Sequence, residues 1–441
     1  MTTLYVVLIF GVGTLFWASV GVLRYLLERA KRRSPQRRVG QGPSPSAADV
    51  AVIVPARNEA AVIAESIEAA AAIVPRENIF VVSDASTDLT ADISRAAGVN
   101  VLELDVNAGK AGAIVAGLRH FDLCRRFEVV MFMDADTRPS PDYMTTGLPA
   151  FRDRDVVAVA GYAKSMVDPL PAQWIGRLLV AYRQRFYTVL QLLFKYGQAA
   201  ESLNVVSIVP GFASMYRAST VSMIDISAPG LVIEDFNMTF EVHAKKLGRI
   251  AFHPGAAVAF TQDPDNFRDY VHQIQRWALG FWQTVRRHGL HAGVFWLALA
   301  VHIFELILSA LLLVFLIPLF TISVYGSTVS GSGDAFSRFA FDVYSFWPPQ
   351  SIAVGIYLPD LVLTLIAVVA LRRSSLLLWA PLFPLIRIVD AAVCLSTLPR
   401  AWSGSSGRWT SPTRRKLQIE ADVAISARSE SVLTENERRE E

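Results

Sequence analysis

The 441-residue chain is short of two things that mark ordinary secreted or soluble proteins, cysteine and charge. Only Cys124 and Cys394 are present, which excludes a disulfide framework and fits a reducing or redox-indifferent setting. Charged residues make up 18%, below the roughly 25% of soluble domains. Hydrophobic residues reach 52%, and mean hydropathy is positive at +0.36. A fully soluble chain is not expected, nor is disorder over most of the length, because so apolar a chain has ample surface to bury. With 42 basic against 39 acidic residues, there is no strong net charge, and nucleic acid is not an expected partner.

The charge that is present lies unevenly. Residues 4–23 carry none and are long enough to cross a hydrocarbon core of about 30 Å. Arg24, Arg29, Lys31, Arg32, Arg33, Arg37 and Arg38 follow, offset only by Glu28. The positive-inside rule puts this end in the cytoplasm and the N-terminus outside. An uncleaved anchor is expected, because the charges follow the apolar stretch and no small-residue cleavage site is evident. Segment 25–48, basic and then rich in Pro, Gly and Ser, reads as a linker. Apolar stretches return at 293–324, 351–371 and 375–397, and Glu305, Arg387 and Asp390 within them should face protein, water or each other. The last stretch, broken by Pro381 and Pro384, reads as re-entrant or partly interfacial, which keeps the basic start of the tail inside. The expected organisation is a span at 1–24, the linker, a cytoplasmic domain at 49–265, an interfacial helix at 266–291, membrane and interfacial helices at 292–400, and a polar, disordered tail at 401–441. The chain reads as an integral protein of the plasma membrane, with the lipid bilayer as a partner.

Between these apolar ends, short β-branched runs alternate with Ala-rich stretches. Strands are expected at 50–54, 79–83, 99–104 and 128–133, and helices at 59–73, 88–97 and 111–121. That alternation implies an α/β fold with a mainly parallel sheet, in which ligands bind beyond the carboxyl ends of the strands. Polar clusters stand at four consecutive strand ends: Arg57, Asn58 and Glu59; Asp84, Ser86, Thr87 and Asp88; Asp105, Asn107, Gly109 and Lys110; Asp134 and Asp136. Each suits a turn or helix cap taken singly, but four in succession point to a site. Asp134 and Asp136 follow an apolar strand, where alternation turns both carboxylates to one side; such hard oxygen ligands suit Mg²⁺ or Mn²⁺. The similar pairs Asp153/Asp155 and Asp263/Asp265 read as solvated loops.

Two further clusters lie beyond the sheet. Glu234 and Asp235 open a helix; the structural role is capping, and the functional one is a general base for an acceptor hydroxyl. Gln273, Arg276 and Trp277 in QIQRW share one face if helical, offering an amide, a guanidinium suited to phosphate and a ring suited to a sugar. Trp277, Phe281, Trp282, Arg286 and Arg287 also fit an interfacial aromatic belt.

In order, PARNE at 55–59, SDASTD at 83–88, NAGK at 107–110, DAD at 134–136, ED at 234–235 and QIQRW at 273–277 resemble the membrane-embedded family 2 glycosyltransferases. These processive β-glycosyltransferases include hyaluronan, chitin, cellulose and poly-N-acetylglucosamine synthases. The resemblance covers about 50–290 and the flanking membrane segments, and its most specific mark is Q-x-x-R-W. It implies a GT-A fold at 49–265 and a UDP-sugar donor. Pro55, Arg57, Asn58, Glu59 and Asp84 would line the nucleotide site, Asp84 near uracil, with Lys110 near the base or phosphates. Asp134 would contact the nucleotide sugar, Asp136 would hold Mg²⁺ or Mn²⁺, and Asp235 would deprotonate the acceptor, inverting an α-linked donor to a β-glycoside. Gln273 and Arg276 would hold the diphosphate, Trp277 would stack on the acceptor beside Glu234, and GFASMYR at 211–217, starting with Gly211, resembles the acceptor-side loop.

Where the family often has Asp-Asp-Gly-Ser, this chain has Ser83, Asp84, Ala85 and Ser86, so a differently shaped nucleotide loop is expected. The few spans argue against a polymer channel within one chain. The expected function is transfer from a UDP-sugar to a growing polysaccharide, with coupled export as a further expectation; length and layout similar to the poly-N-acetylglucosamine synthases favour UDP-N-acetylglucosamine. Single addition to a lipid acceptor is the nearest alternative. A polyprenyl-phosphate sugar synthase is disfavoured, since that group generally lacks Q-x-x-R-W. A non-enzymatic receptor or export component is disfavoured by the intact set of Asp134, Asp136, Asp235 and Arg276.

Overall fold

The structure, a computed structural model, describes residues 11–33, 42–331 and 333–403. A seven-stranded sheet forms its centre, in the order β3-β2-β1-β4-β8-β6-β9. The strands are β1 (Val50–Ala56), β2 (Ile79–Asp84), β3 (Asn100–Leu104), β4 (Val129–Met133), β6 (Val156–Ala160), β8 (Ala213–Arg217) and β9 (Arg249–Ala251). Strands β3, β2, β1 and β4 run parallel, and β8 enters antiparallel to both β4 and β6. A smaller sheet joins β5 (Thr137–Pro139), β10 (Val258–Thr261) and β7 (Tyr162–Ser165).

Period-two alternation explains why the large sheet is covered on both faces. Ala51, Ile53, Val130 and Phe132 pack into one core with Ala113, Ile114 and Leu118 of α4 (Gly109–His120) and Met238 of α6 (Glu234–Ala244). Val50, Val52, Val54, Val129 and Met131 pack into the other with Ile63 and Ile67 of α2 (Ile63–Ala71), against which Ile93 of α3 (Thr90–Ala96) also rests. The expected strand and helix positions hold to within a few residues. Pro55 does not end β1, which continues to Ala56. Pairing with β4 covers only Val50 to Ile53, so Pro55 lies past the β4 contact, where a missing N–H is tolerated. Chain order reverses between β1 and β4, so the crevice beyond their carboxyl ends is the topological switch point where α/β sheets bind ligands.

Helix α1 (Val12–Arg33) carries the first basic residues. Residues 1–10 and 34–41, part of the expected first span and linker, and the tail from 404 lie outside the described residues. The helix continues through positions expected to be linker, supported by the Arg24–Glu28 pair one turn apart. Arg24 also donates to the carbonyls of Tyr196 and Phe252, at 2.8 and 3.1 Å, which fastens α1 to the domain built on the large sheet.

Three helical segments are long and apolar enough to cross a membrane: Val294–Gly326, Pro349–Leu371 and Ala380–Trp402. The first is a single helix, α8, with Pro318 inside it. Its 33 residues exceed the roughly 20 needed for one crossing. A further helix, α9 (Ala335–Phe346), precedes α10 (Pro349–Leu371). The stretch expected to be re-entrant forms two short 3₁₀ turns and then α11 (Phe383–Thr397), and Ala380–Trp402 as a whole is long enough to span. With these helices the chain is a membrane protein.

The embedded charges are partnered as expected. Glu305 accepts from the Gly13 N–H at 2.7 Å. Arg387 pairs with Asp360 at 3.0 Å, and Asp390 accepts from the hydroxyls of Tyr182 and Tyr270, each at 2.7 Å. Asp360, overlooked in the sequence, also pairs with Arg185.

Candidate active site

At the end of β1 the chain turns through Asn58, whose φ is 54°, a left-handed conformation that asparagine tolerates better than most residues. The turn is laced to the loop after β2. Asn58 Oδ1 accepts from Thr87 N–H at 2.8 Å, Glu59 N–H donates to Thr90 Oγ1 at 2.8 Å, and Ala60 N–H donates to Asp88 Oδ2 at 3.0 Å. Arg57 Nη1 donates to the Asp84 carbonyl at 3.0 Å. Ala85 stands where the family often has glycine and takes a φ of 49°. The loop thus makes a left-handed turn at a residue with a Cβ, a conformation that glycine would adopt at lower cost.

Asp84 is fully buried, and its carboxylate accepts from the N–H groups of Ala108 and Gly109 at 2.7 and 3.0 Å. These amides open α4, so the carboxylate satisfies donors that the helix start leaves unpaired. The same contacts set Lys110, one residue further on. Its ammonium lies 2.7 Å from Asp134 Oδ1 and 2.8 Å from Glu234 Oε1. Burial works against the charged amine, but Asp134 and Glu234 outweigh it and hold the Lys110 pKa above its ordinary value. One lysine thus joins the strand-end aspartate to the opening of α6.

Glu234 and Asp235 occupy the first turn of α6, where the exposed amides favour negative charge. Asp235 Oδ1 accepts from its neighbour Phe236 N–H at 2.8 Å, and Oδ2 from Gly211 N–H at 3.3 Å. Burial, and next the charge of Glu234, push the Asp235 pKa up to about 6, against the pull of Lys110 and the two amides. Gly211 leaves room for this packing: an added Cβ would lie 3.1 Å from Glu234 Oε1 and 3.2 Å from Lys110 Nζ, so both side chains would have to give way. The rest of the expected acceptor-side loop is mostly β8, where Arg217 serves the sheet by donating to the Val156 and Phe151 carbonyls. Glu234 caps nothing with its side chain and pairs with Lys110.

Asp134 is held by its N–H, which donates to the Phe212 carbonyl at 2.9 Å. Asp136 is buried at the start of β5. Strand β5 runs antiparallel to β10 with Thr137 opposite Thr261, so Asp263, two residues past Thr261, falls beside the DAD segment. Asp263 is 4% exposed and accepts from the Tyr187 hydroxyl at 3.1 Å, which corrects its reading as a solvated loop. Asp263 and, more weakly, Asp136 both raise the pKa of the buried Tyr187 hydroxyl, after burial itself. Sequence spacing could not show this, because the approach depends on strand register.

Helix α7 (Phe267–His288) carries QIQRW as expected and is capped by Asn266, which accepts from Asp269 N–H at 2.9 Å. Gln273 and Trp277 meet Arg183 of α5 (Trp174–Val189), which donates to Gln273 Oε1 at 2.6 Å and lies 4.4 Å from the Trp277 ring centre. Arg276 has no carboxylate partner among the described residues. Phe281 and Trp282 are buried instead of forming an aromatic belt, and Trp282 Nε1 donates to the Cys394 carbonyl at 3.2 Å. One turn past Trp277, Gly280 lets α7 approach Ile233, whose Cβ would be 2.9 Å from a Cβ added there. Gln283 accepts from Val232 N–H at 2.9 Å. The ED segment is therefore packed directly onto the helix that bears QIQRW.

Residues 51–222 match the family model described as "Glycosyl transferase family 2". An undecaprenyl-phosphate mannosyltransferase from Micrococcus luteus is 28% identical over 45% of this chain and 79% of its own. A poly-beta-1,6-N-acetyl-D-glucosamine synthase from Staphylococcus epidermidis is 20% identical over 78% of this chain and 82% of its own. Among solved structures, a mannosyltransferase from Pyrobaculum calidifontis in complex with GDP-Man and Mn²⁺ aligns over 88% of this chain and 99% of its own, with 18% identity and a TM-score of 0.47. The Micrococcus enzyme belongs by name to the polyprenyl-phosphate class that Q-x-x-R-W had disfavoured. The mixed, mostly parallel sheet is GT-A-like, and the chain carries a glycosyltransferase family 2 domain at 51–222.

Proposed function

We propose that the protein is an inverting β-glycosyltransferase that moves a sugar from a UDP-sugar, by preference UDP-N-acetylglucosamine, to a growing polysaccharide at the membrane. The catalytic domain is cytoplasmic and the N-terminus outside in this reading. The observation that carries it is the Lys110 bridge between Asp134 and Glu234, beside a buried Asp235 raised to about 6. A carboxylate with that pKa is ionised at neutral pH yet basic enough to take a proton. Asp235 removes the acceptor hydroxyl proton as that oxygen attacks the anomeric carbon and the bond to the diphosphate breaks. One displacement inverts the centre without a nucleophilic side chain.

Lys110, Arg57, Arg276 and Gln273 bind the diphosphate, and Pro55, Asn58, Glu59 and Asp84 shape the uridine side. For Asn58 and Asp84 this action is largely through loop structure, given their contacts. Trp277 stacks on the acceptor, with Gly211 and Glu234 at its far side. Buried Asp136 and Asp263, both near the Tyr187 hydroxyl, supply hard oxygen atoms that fit Mg²⁺ or Mn²⁺, and among the described residues no group of three or more His, Cys, Asp or Glu is placed to hold a metal ion by itself. Such an ion would take its other ligands from the diphosphate and water and would neutralise charge on the leaving nucleotide.

The similarity to the Micrococcus enzyme favours a second reading, a single addition to a lipid phosphate. The two are separated by offering labelled UDP- and GDP-sugars with Mg²⁺ or Mn²⁺ to the full-length protein in lipid and sizing the product. A polymer from UDP-N-acetylglucosamine is expected. A monoglycosylated lipid as sole product would sink the polymerase reading, and use of GDP-sugars alone would sink the UDP assignment.

A further inference from the structure

We propose that Arg183, which lies outside every sequence motif of the site, is the positioning residue of the QIQRW face, setting the polarity of Gln273 and bracing the ring of Trp277 with one guanidinium. The proposal rests on the reading of α7 as the helix that grips donor and acceptor. Arg183 is 1% exposed. Its Nη2 donates to Gln273 Oε1 at 2.6 Å, and its guanidinium carbon stands 4.4 Å from the centre of the Trp277 ring and 4.8 Å from that of Tyr270. No carboxylate pairs with it among the described residues, and its Nε hydrogen finds no acceptor there. Arg185, two residues on along the same helix, is by contrast paired with Asp360.

A buried guanidinium with no carboxylate in direct contact carries a heavy desolvation cost. Aromatic faces, one amide oxygen and the more distant carboxylates of Asp263 and Asp390 offset it. A methionine of similar length would avoid the cost altogether, so the charge is kept for what it does to its neighbours. A guanidinium only donates, so Gln273 must turn its carbonyl oxygen toward Arg183. The Gln273 amide nitrogen is thereby directed away as a pure donor, the polarity that suits a phosphate or sugar oxygen. Gln273 and Trp277 are one helical turn apart on α7, and the planar fork of one arginine spans that distance. It covers one face of the Trp277 ring and leaves the other for stacking. Donor-side and acceptor-side groups are thus held by the same side chain and should shift together when it is removed.

The test is a double-mutant cycle on the full-length protein in nanodiscs, reading the affinity for UDP with Mn²⁺. Trp277 emission is read alongside, without nucleotide, as the difference between each protein and its Trp277→Phe counterpart. Arg183→Met is expected to weaken UDP binding about tenfold, but by less than about twofold once Gln273→Ala is already present. The Trp277 difference emission should move to longer wavelength. Arg183→Lys keeps the charge without the planar fork and is expected to lose about threefold; it replaces the methionine variant in the cycle if that variant does not fold. Equal losses in the wild-type and Gln273→Ala backgrounds would overturn the proposal, as would an unchanged Trp277 difference emission. If the wild type binds no UDP, the donor assignment fails instead, and the emission shift alone decides for or against the bracing by Arg183.

Discussion

The ammonium of Lys110 sits 2.8 Å from Glu234 Oε1, in a place from which water is largely excluded. Lys110 also holds the partly exposed Asp134 at 2.7 Å, and its removal leaves the buried Glu234 carboxylate without its cation. Lys110→Met is expected to destabilise the protein by about 3 kcal/mol, seen as a fall in Tm. It should also raise the Asp235 pKa above its value of about 6, because the nearby positive charge is lost. Glu234→Gln removes a negative neighbour and should lower it. In profiles of kcat/KM against pH, the acid limb moves to higher pH in the first variant and to lower pH in the second; movement in one direction for both would contradict the arrangement.

As the proposed general base, Asp235 sets function against stability. Its folded pKa of about 6 lies above the ordinary 3.8, so the folded state binds this proton more tightly than the unfolded chain does. Its contribution to stability is full below about pH 4 and is lost as pH rises through about 6. Asp235→Asn should abolish transfer, leave UDP binding nearly unchanged, and raise stability at pH 8 by up to roughly 3 kcal/mol. Near pH 4 the gain should vanish. Thermal unfolding at the two pH values, beside a transfer assay, checks all three outcomes, and persistent transfer would remove Asp235 as the base.

Asp136→Ala should weaken UDP binding in Mn²⁺ by about tenfold or more while leaving the weaker binding in EDTA unchanged. Titration of UDP with and without metal measures this. A variant that keeps the full metal-dependent gain would show that Asp136 is not a ligand.

Ala85 holds a left-handed φ of 49° in the nucleotide loop, a conformation that costs a residue with a Cβ about 1 to 2 kcal/mol. Ala85→Gly removes that cost but adds freedom to the unfolded chain, so a net gain of about 0.5 to 1 kcal/mol is expected. Differential scanning calorimetry would register it as a modest rise in Tm, and a loss of stability would contradict the strain.

The strands of the parallel half were legible because burial on both faces demands unbroken apolar runs, as in Val50 to Val54. The residues after them were legible because ligands of such sheets gather there. Asp263 was not, because its approach to the DAD segment depends on β10 lying beside β5 across more than a hundred residues of chain. Asp360 stood alone in an apolar stretch with no sign of its partners, Arg185 and Arg387, which come from two other helices. Arg183 escaped notice for a similar reason: a helix of mixed polarity gives no hint of which neighbour each side chain meets. The right reading of Glu234 and Asp235 as a helix start followed from composition, but the choice of Lys110 as their partner came only from the fold.

Four successive residues of α5 each hold a different part of the molecule. Tyr182 donates to Asp390, Arg183 to Gln273, and Arg185 to Asp360, while Gln184 accepts from Arg373. The family domain therefore has no clean seam along which it could be cut from the helices that follow it. A fragment ending before α8 would display an arginine, a tyrosine and an apolar helix face with nothing to meet them, and would be expected to aggregate on expression. For the same reason, a chimera that grafts this domain onto the membrane helices of another protein must bring Asp360, Arg373 and Asp390 with it.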